Sequence, residues 1–212
     1  LGLSYKNKKC GSFGDLSTFS FYANKQVTTG EGGMISVNSE KLYKKCNSLK
    51  NLCFGKINRF NHDDLGWNCR LTNIQAALGL SQLKNIKNTI RKKMEIGNYY
   101  YEKLKFNNNI QILPPFNSFS KNIYWVVGIL IKNKKMTALN LSKKLLKFGI
   151  ETRPFFWPMH QQSIFKKLKL FKNQNYPNST YLSKYGLYVP SYLLLKKREI
   201  NKISNVINKI LR

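Results

Sequence analysis

The sequence predicts an α/β protein built in two parts, and three observations predict it. A strand-like run from Leu16 to Tyr22 is followed by a Gly-rich turn and a second strand-like run, which together read as a hairpin. A helical pattern with a strong start signal then runs from Thr72 to about Leu104. Past a break at Asn107-Asn108-Asn109 and Pro114-Pro115, strand and helix patterns alternate, as in a small α/β domain. The boundary therefore falls at 109/110, with residues 1–109 in a first domain and 110–212 in a second.

Each element has a local reason. Leu-Ser-Thr-Phe-Ser-Phe-Tyr at 16–22 reads as a buried, aromatic-rich strand. Thr28-Thr29-Gly30-Glu31-Gly32-Gly33 is the turn, and Met34-Ile35-Ser36-Val37 the returning strand. Residues 40–53 place Leu42, Cys46, Leu49 and Cys53 on one helical face. Residues 58–69 form a loop rich in Asn, Asp and Gly. Thr72-Asn73-Ile74-Gln75 has the spacing of a capping box, with Ile74, Leu78, Leu83, Ile86, Ile90 and Met94 as the apolar stripe behind it. Gly79 and Gly97 interrupt that helix at modest cost. Beyond the break come a strand at 124–131, a helix at 138–148 and Gly149 where a left-handed cap is wanted. A short strand at 150–153 ends at Pro154. A last helix from Lys197 carries Ile200, Ile203, Ile207 and Ile210 on one face.

Composition narrows the classes. The chain has 212 residues, 42% of them hydrophobic, with 13 Phe and 12 Tyr, which is incompatible with a disordered chain. No apolar run reaches the length of a membrane span, and no signal-peptide pattern is visible. The four cysteines form no C-x-x-C pair and there are only two histidines, so no metal site is expected. Reduced thiols point to a cytoplasmic protein. The first residues, Leu-Gly-Leu-Ser-Tyr, read like the middle of a domain, so a fragment is expected. The formal charge of +28 raises the alternative of a basic nucleic-acid-binding module. Against it, 31 Lys stand beside only 6 Arg, spread along the chain with 25 Asn. That is the signature of an AT-rich coding sequence, whereas base recognition favours the bidentate arginine.

Chemistry concentrates between Gly11 and Gly33. One lysine, Lys25, sits just past the end of the aromatic strand, with the hydroxyl of Ser20 five residues before it and the Gly-rich turn after it. An amine set against apolar surface favours its neutral, nucleophilic form, which suits attack on an aldehyde. Ser20 and nearby backbone amides suit a phosphate. In a chain with 31 lysines, the same pattern also fits an ordinary hairpin with a surface lysine.

Four segments carry a resemblance that separates these readings. They are F-S-F-Y-A-N-K-Q-V-T-T-G-E-G-G (19–33), H-D-D-L-G-W-N-C-R-L-T-N-I-Q-A-A-L-G (62–79), G-I-E-T-R-P-F-F-W-P-M-H (149–160) and Y-L-S-K-Y-G-L-Y-V-P-S (181–191). In this order, across nearly the whole chain, the sequence resembles the DegT/DnrJ/EryC1/StrS family of pyridoxal-phosphate (PLP) sugar aminotransferases. The resemblance implies the type I PLP-dependent aminotransferase fold, here a truncated large domain plus a small C-terminal α/β domain. It implies Lys25 as the Schiff-base lysine, Ser20 on the cofactor phosphate, and Asn68 reaching that phosphate from a neighbouring subunit of a homodimer. Arg153 and His160 are implied near the nucleotide-sugar substrate, with a surface cation and a packed imidazole as their plainer readings. Transamination of a nucleotide-linked keto sugar, with an amino-acid donor, is the activity implied.

Two departures stand out. Cys69 occupies a position where the family has an aromatic residue. The family's acidic partner for the pyridine nitrogen, and the ring that covers the cofactor, correspond to positions upstream of Leu1. An inactive fragment of the aminotransferase is therefore a further alternative. Members of the family that are dehydratases carry histidine in place of the lysine, which argues against that chemistry here.

Overall fold

A computed structural model describes residues 1–212. The chain divides into two compact units, Leu1–Ile90 with Ser118–Lys121, and Arg91–Asn117 with Asn122–Arg212. Packing thus changes hands earlier along the chain than composition does.

In the first unit, β1 (Ser4–Tyr5) and β2 (Lys8–Lys9) make a short ribbon, and β3 (Leu16–Ser20) pairs antiparallel with β4 (Gly33–Val37) in the register Leu16↔Val37 to Ser20↔Gly33. The hairpin is the predicted one, but β3 is not the buried strand expected. Its residues alternate between exposed and half-buried, because a two-stranded sheet covers neither of its own faces. Helix α1 (Glu40–Lys50) is capped by the Ser39 side chain on the Leu42 N–H. It stops three residues short of the expected end, as Leu52 and Cys53 take φ of 64° and 49°.

The predicted long helix is two helices, α2 (Asn73–Lys84) and α3 (Ile86–Leu104), broken at Asn85. The Asn85 N–H turns back to the Gln82 and Leu83 carbonyls, so the i−4 ladder tightens and ends there. The capping box of Thr72 and Gln75 is complete. The apolar stripe is not buried on α2: Ile74 is 84% exposed.

The second unit is a four-stranded antiparallel sheet in the order β5-β6-β8-β7, with helices packed against it. The strands are β5 (Ile110–Ile112), β6 (Val127–Ile131), β7 (Arg153–Pro154) and β8 (Gly186–Val189). Helices α4 (Ala138–Leu146), α5 (Ser163–Lys167), α6 (Pro177–Tyr185) and α7 (Lys197–Ile210) complete it, with a 3₁₀ turn at Met159–Gln161. On β6 the period of two buries Val127, Ile129 and Ile131. On α7 the helical period buries Ile200, Ile203 and Ile207. Fully burying each such side chain contributes about 1.5–3 kcal/mol. Gly149 has φ +71° and ends the α4 turn as expected. Strand 124–131 starts late because Tyr124 takes φ +46°, and strand 150–153 shrinks to its last residue plus Pro154. No helix is long and apolar enough to cross a membrane.

Candidate active site

The Lys25 segment is built by hydrogen bonds rather than by a core. Past Ser20 the ladder continues for one more residue, with the Phe21 N–H on the Gly32 carbonyl at 2.9 Å. The Phe21 carbonyl then accepts both the Thr29 N–H (2.9 Å) and the Thr28 hydroxyl (3.0 Å). Between these anchors the Lys25 N–H closes a turn on the Tyr22 carbonyl at 3.0 Å. The Lys25 side chain is half-buried.

Helix α2 fastens the far side of this turn. The Gln82 carboxamide accepts the Thr28 N–H (3.1 Å) and donates to the Thr28 carbonyl (2.9 Å). Gln75, two turns earlier on the same face, donates to the Glu31 carbonyl at 3.0 Å. Gly79 lies between the two glutamines, and a Cβ there would meet Thr29 Cγ2 at 2.9 Å. The helical glycine that the sequence shows at modest cost is a point of close approach between helix and turn.

Ser20 is exposed at the end of β3. Its Oγ accepts the Tyr22 N–H at 3.3 Å, which leaves the hydroxyl proton for another acceptor. Asn68 is also exposed, in a loop bridged antiparallel to Asn51. Arg70 Nε donates to Asn68 Oδ1 at 2.8 Å, so the amide orientation is set and two N–H donors remain. The same loop is held by His62 Nδ1 on the Leu52 carbonyl (2.6 Å) and by Lys45 on Asp64 (2.6 Å). The hydrogen bond from Lys45 holds the Asp64 carboxyl below the usual carboxylate range.

In the second unit, Arg153 lies on β7 opposite Tyr188 and is exposed, with no carboxylate of the chain paired to it. It lines a cavity of about 840 Å³ together with Glu151, Thr152, Tyr188 and Tyr192. His160 is half-buried on the 3₁₀ turn, its ring 4.9 Å from that of Tyr176 and its Nε2 3.3 Å from Thr180 Oγ1. Ser20 thus ends the strand that leads into the Lys25 turn of the first unit, whereas Asn68 occupies a separate loop of it. Arg153 and His160 follow one another along the second unit without bonding to each other. Sequence reasoning missed Thr180 and Gln161, which bond around His160, because neither lies in a periodic or motif position; Gln75 was visible only as a cap.

Known proteins bear on this arrangement. GDP-perosamine synthase of Escherichia coli O157:H7 is 36% identical over 98% of this chain and 55% of that protein. GDP-perosamine synthase of Vibrio cholerae is 34% identical over 98% of this chain and 56% of that protein. Among solved structures, Helicobacter pylori PseC, an aminotransferase involved in the biosynthesis of pseudoaminic acid, superposes with a TM-score of 0.90 at 29% identity, over 100% of this chain and 57% of its own. The PLP form of the sugar aminotransferase Spr1654 from Streptococcus pneumoniae shares the fold at TM-score 0.86. The fold is therefore that of the PLP-dependent sugar aminotransferases. The chain spans about half the length of the curated relatives it matches.

The residues present fit that cofactor. Lys25 offers a primary amine for an aldehyde on a turn held at both ends, and Ser20 and Asn68 each retain N–H or O–H donors suited to a phosphate. The match to the family model covers residues 1–208, and the chain belongs to the DegT/DnrJ/EryC1/StrS aminotransferase family, whose cofactor is pyridoxal 5′-phosphate.

Proposed function

We propose that this chain carries the lysine of an enzyme that transaminates a nucleotide-linked 4-keto-6-deoxy hexose, with glutamate as amino donor, for cell-surface polysaccharide biosynthesis. The observation that carries the reading is Lys25 itself: one half-buried lysine, five residues after a strand-end serine, on a turn clamped by two glutamines. The two perosamine synthase relatives support the substrate class.

Bound pyridoxal phosphate supplies an electron sink for the transferred amine. The protein's own residues do the rest. Lys25 would hold the cofactor through Nζ and, once displaced, would carry the proton at that atom between the substrate carbon and the cofactor. The Ser20 hydroxyl and the Asn68 carboxamide donate to the phosphate. In a homodimer with shared sites, Asn68 serves its neighbour's cofactor. Arg153 answers the negative charge of a nucleoside diphosphate, and His160 contacts the substrate beside it.

Borohydride reduction of the full-length holoenzyme, followed by peptide mapping, tests the reading. A pyridoxyl adduct on Lys25 is expected, and an adduct on any other lysine overturns it. Lys25→Ala should reduce transamination by at least about 10³-fold without unfolding the chain. Mixing that variant with Asn68→Asp tests the shared site. A heterodimer has one site with both native residues, so activity should return once subunits exchange.

A further inference from the structure

The surroundings of His160 fix more than its position. Gln161 Nε2 donates to Thr180 Oγ1 at 2.9 Å. The Thr180 hydroxyl, with one lone pair taken, lies 3.3 Å from His160 Nε2 and has its own proton to give. Both partners are anchored. The Thr180 N–H is bonded to the Tyr176 carbonyl (3.1 Å) at the start of α6, where the Tyr176 ring also packs on the imidazole. The Gln161 carbonyl holds Trp157 Nε1 at 3.1 Å.

We infer that Gln161 and Thr180 are positioning residues that hold His160 as the Nδ1–H tautomer, presenting a fixed hydrogen-bond donor to an acceptor oxygen of the nucleotide-sugar substrate. Gln161 Nε2–H fills one lone pair of Thr180 Oγ1, and His160 Nε2 is the acceptor within reach of the Thr180 proton; accepting it places the neutral ring's own proton on Nδ1. No group of the chain accepts from Nδ1. A ring free to choose would present an acceptor or a donor to the ligand; this ring presents a donor only. The inference rests on the substrate-binding role proposed for His160.

Nitrogen-15 NMR of histidine-labelled full-length protein at alkaline pH tests it, with the His160 signals identified by their loss in His160→Gln. Nε2 is expected to show the shift of an unprotonated ring nitrogen, and Nδ1 that of a protonated one. Thr180→Val should abolish this signature and raise KM for GDP-4-keto-6-deoxymannose about tenfold, with a smaller change in kcat. Thr180→Ser should restore both. If Thr180→Val does not fold, Gln161→Leu, which releases the Thr180 hydroxyl, should weaken the same signature. A protonated Nε2 in the native protein overturns the inference. So does an active native enzyme whose KM is unmoved by Thr180→Val. If the native enzyme does not transaminate this sugar, the substrate reading fails, and the nitrogen signature alone decides whether the relay exists.

Discussion

The two units hold themselves together by different means. In the second, Tyr100, Leu104, Ile131, Leu141, Leu145 and Leu187 are buried completely within one apolar cluster. In the first, Val27 and Cys53 are the only buried apolar side chains, while Ile35 is 50% exposed and Leu80 58%. What shapes the first unit is a set of side chain to backbone hydrogen bonds: the Thr72–Gln75 box, Gln82 on Thr28, Gln75 on Glu31. Within these 212 residues the lysine turn is fastened by polar bonds, and the sheet that includes Arg153 is held by packing. The difference predicts where each unit is fragile.

The largest expected effect lies in the packed unit. Leu145→Ala leaves a cavity beneath the sheet and should cost about 2–5 kcal/mol of unfolding free energy, read by urea denaturation of the 212-residue chain. Ile35→Ala on the open face of the hairpin should cost less than about 0.5 kcal/mol. If the Ile35 change costs as much as the Leu145 change, the contrast between the units is wrong.

Next comes a charge buried in the packed unit. Lys93 is 9% exposed and its Nζ donates to the Ser191 carbonyl at 2.6 Å and to the Ser191 hydroxyl, with no carboxylate beside it. Burial lowers its pKa to about 8. Between pH 8 and the unfolded value near 10.5, the unfolded chain binds the extra proton, so this group makes stability rise with pH. Below pH 8 both states are protonated and the full cost of burying the charge is present. The slope reaches at most about 1.4 kcal/mol per pH unit. The difference in stability between the native protein and Lys93→Met should therefore climb from pH 8 to 10.5 and be flat below. A flat difference throughout means that Lys93 is solvated in the folded protein.

A smaller effect probes the polar fastening. Gln82→Ala removes both bonds to Thr28 and should cost about 1–2 kcal/mol. It should also weaken cofactor retention in the full-length enzyme more than any substitution in the second unit's core that leaves the fold intact. Equal retention in Gln82→Ala and the native enzyme shows that the turn keeps its shape without the Gln82 bonds.

The same contrast explains what the sequence revealed. Local signals were legible: the capping box at Thr72, the left-handed Gly149 and the isoleucine stripe of α7 each depend on residues within a few positions of one another. The break at Asn85 was not, because helical pattern continues on both sides and only the backbone shows the ladder ending. β3 is less buried than its sequence implies because apolar character says that a strand can be covered, not that this chain covers it. Strands β5 and β8 escaped because three or four residues are too few to show a period. Among the candidate site residues, the sequence named Lys25, Ser20, Asn68, Arg153 and His160 through motif resemblance. The bonds that orient them, from Tyr22, Arg70 and Thr180, arise from the folded chain.

The smallest expected effect concerns the charge of +28, which both units share. Lys41 lies exposed on α1 in the first unit and Lys143 exposed on α4 in the second, and neither belongs to an ion pair of the chain. Exposed charges of this kind interact through water and are screened within about 10 Å at ordinary salt. Replacing both with glutamine should change stability by less than about 0.5 kcal/mol. Turnover of the full-length enzyme should fall by much less than tenfold, the factor equivalent to about 1.4 kcal/mol. A nucleic-acid-binding surface behaves differently. Each lost phosphate contact would lower affinity for duplex DNA and flatten its dependence on salt by about one unit of slope. Measuring DNA binding of native and doubly substituted protein at two salt concentrations separates the cases. Tight, steeply salt-dependent binding that weakens on substitution would make the positive charge functional in both units. Absent binding, with unchanged turnover, leaves the lysines as solvated surface in both units.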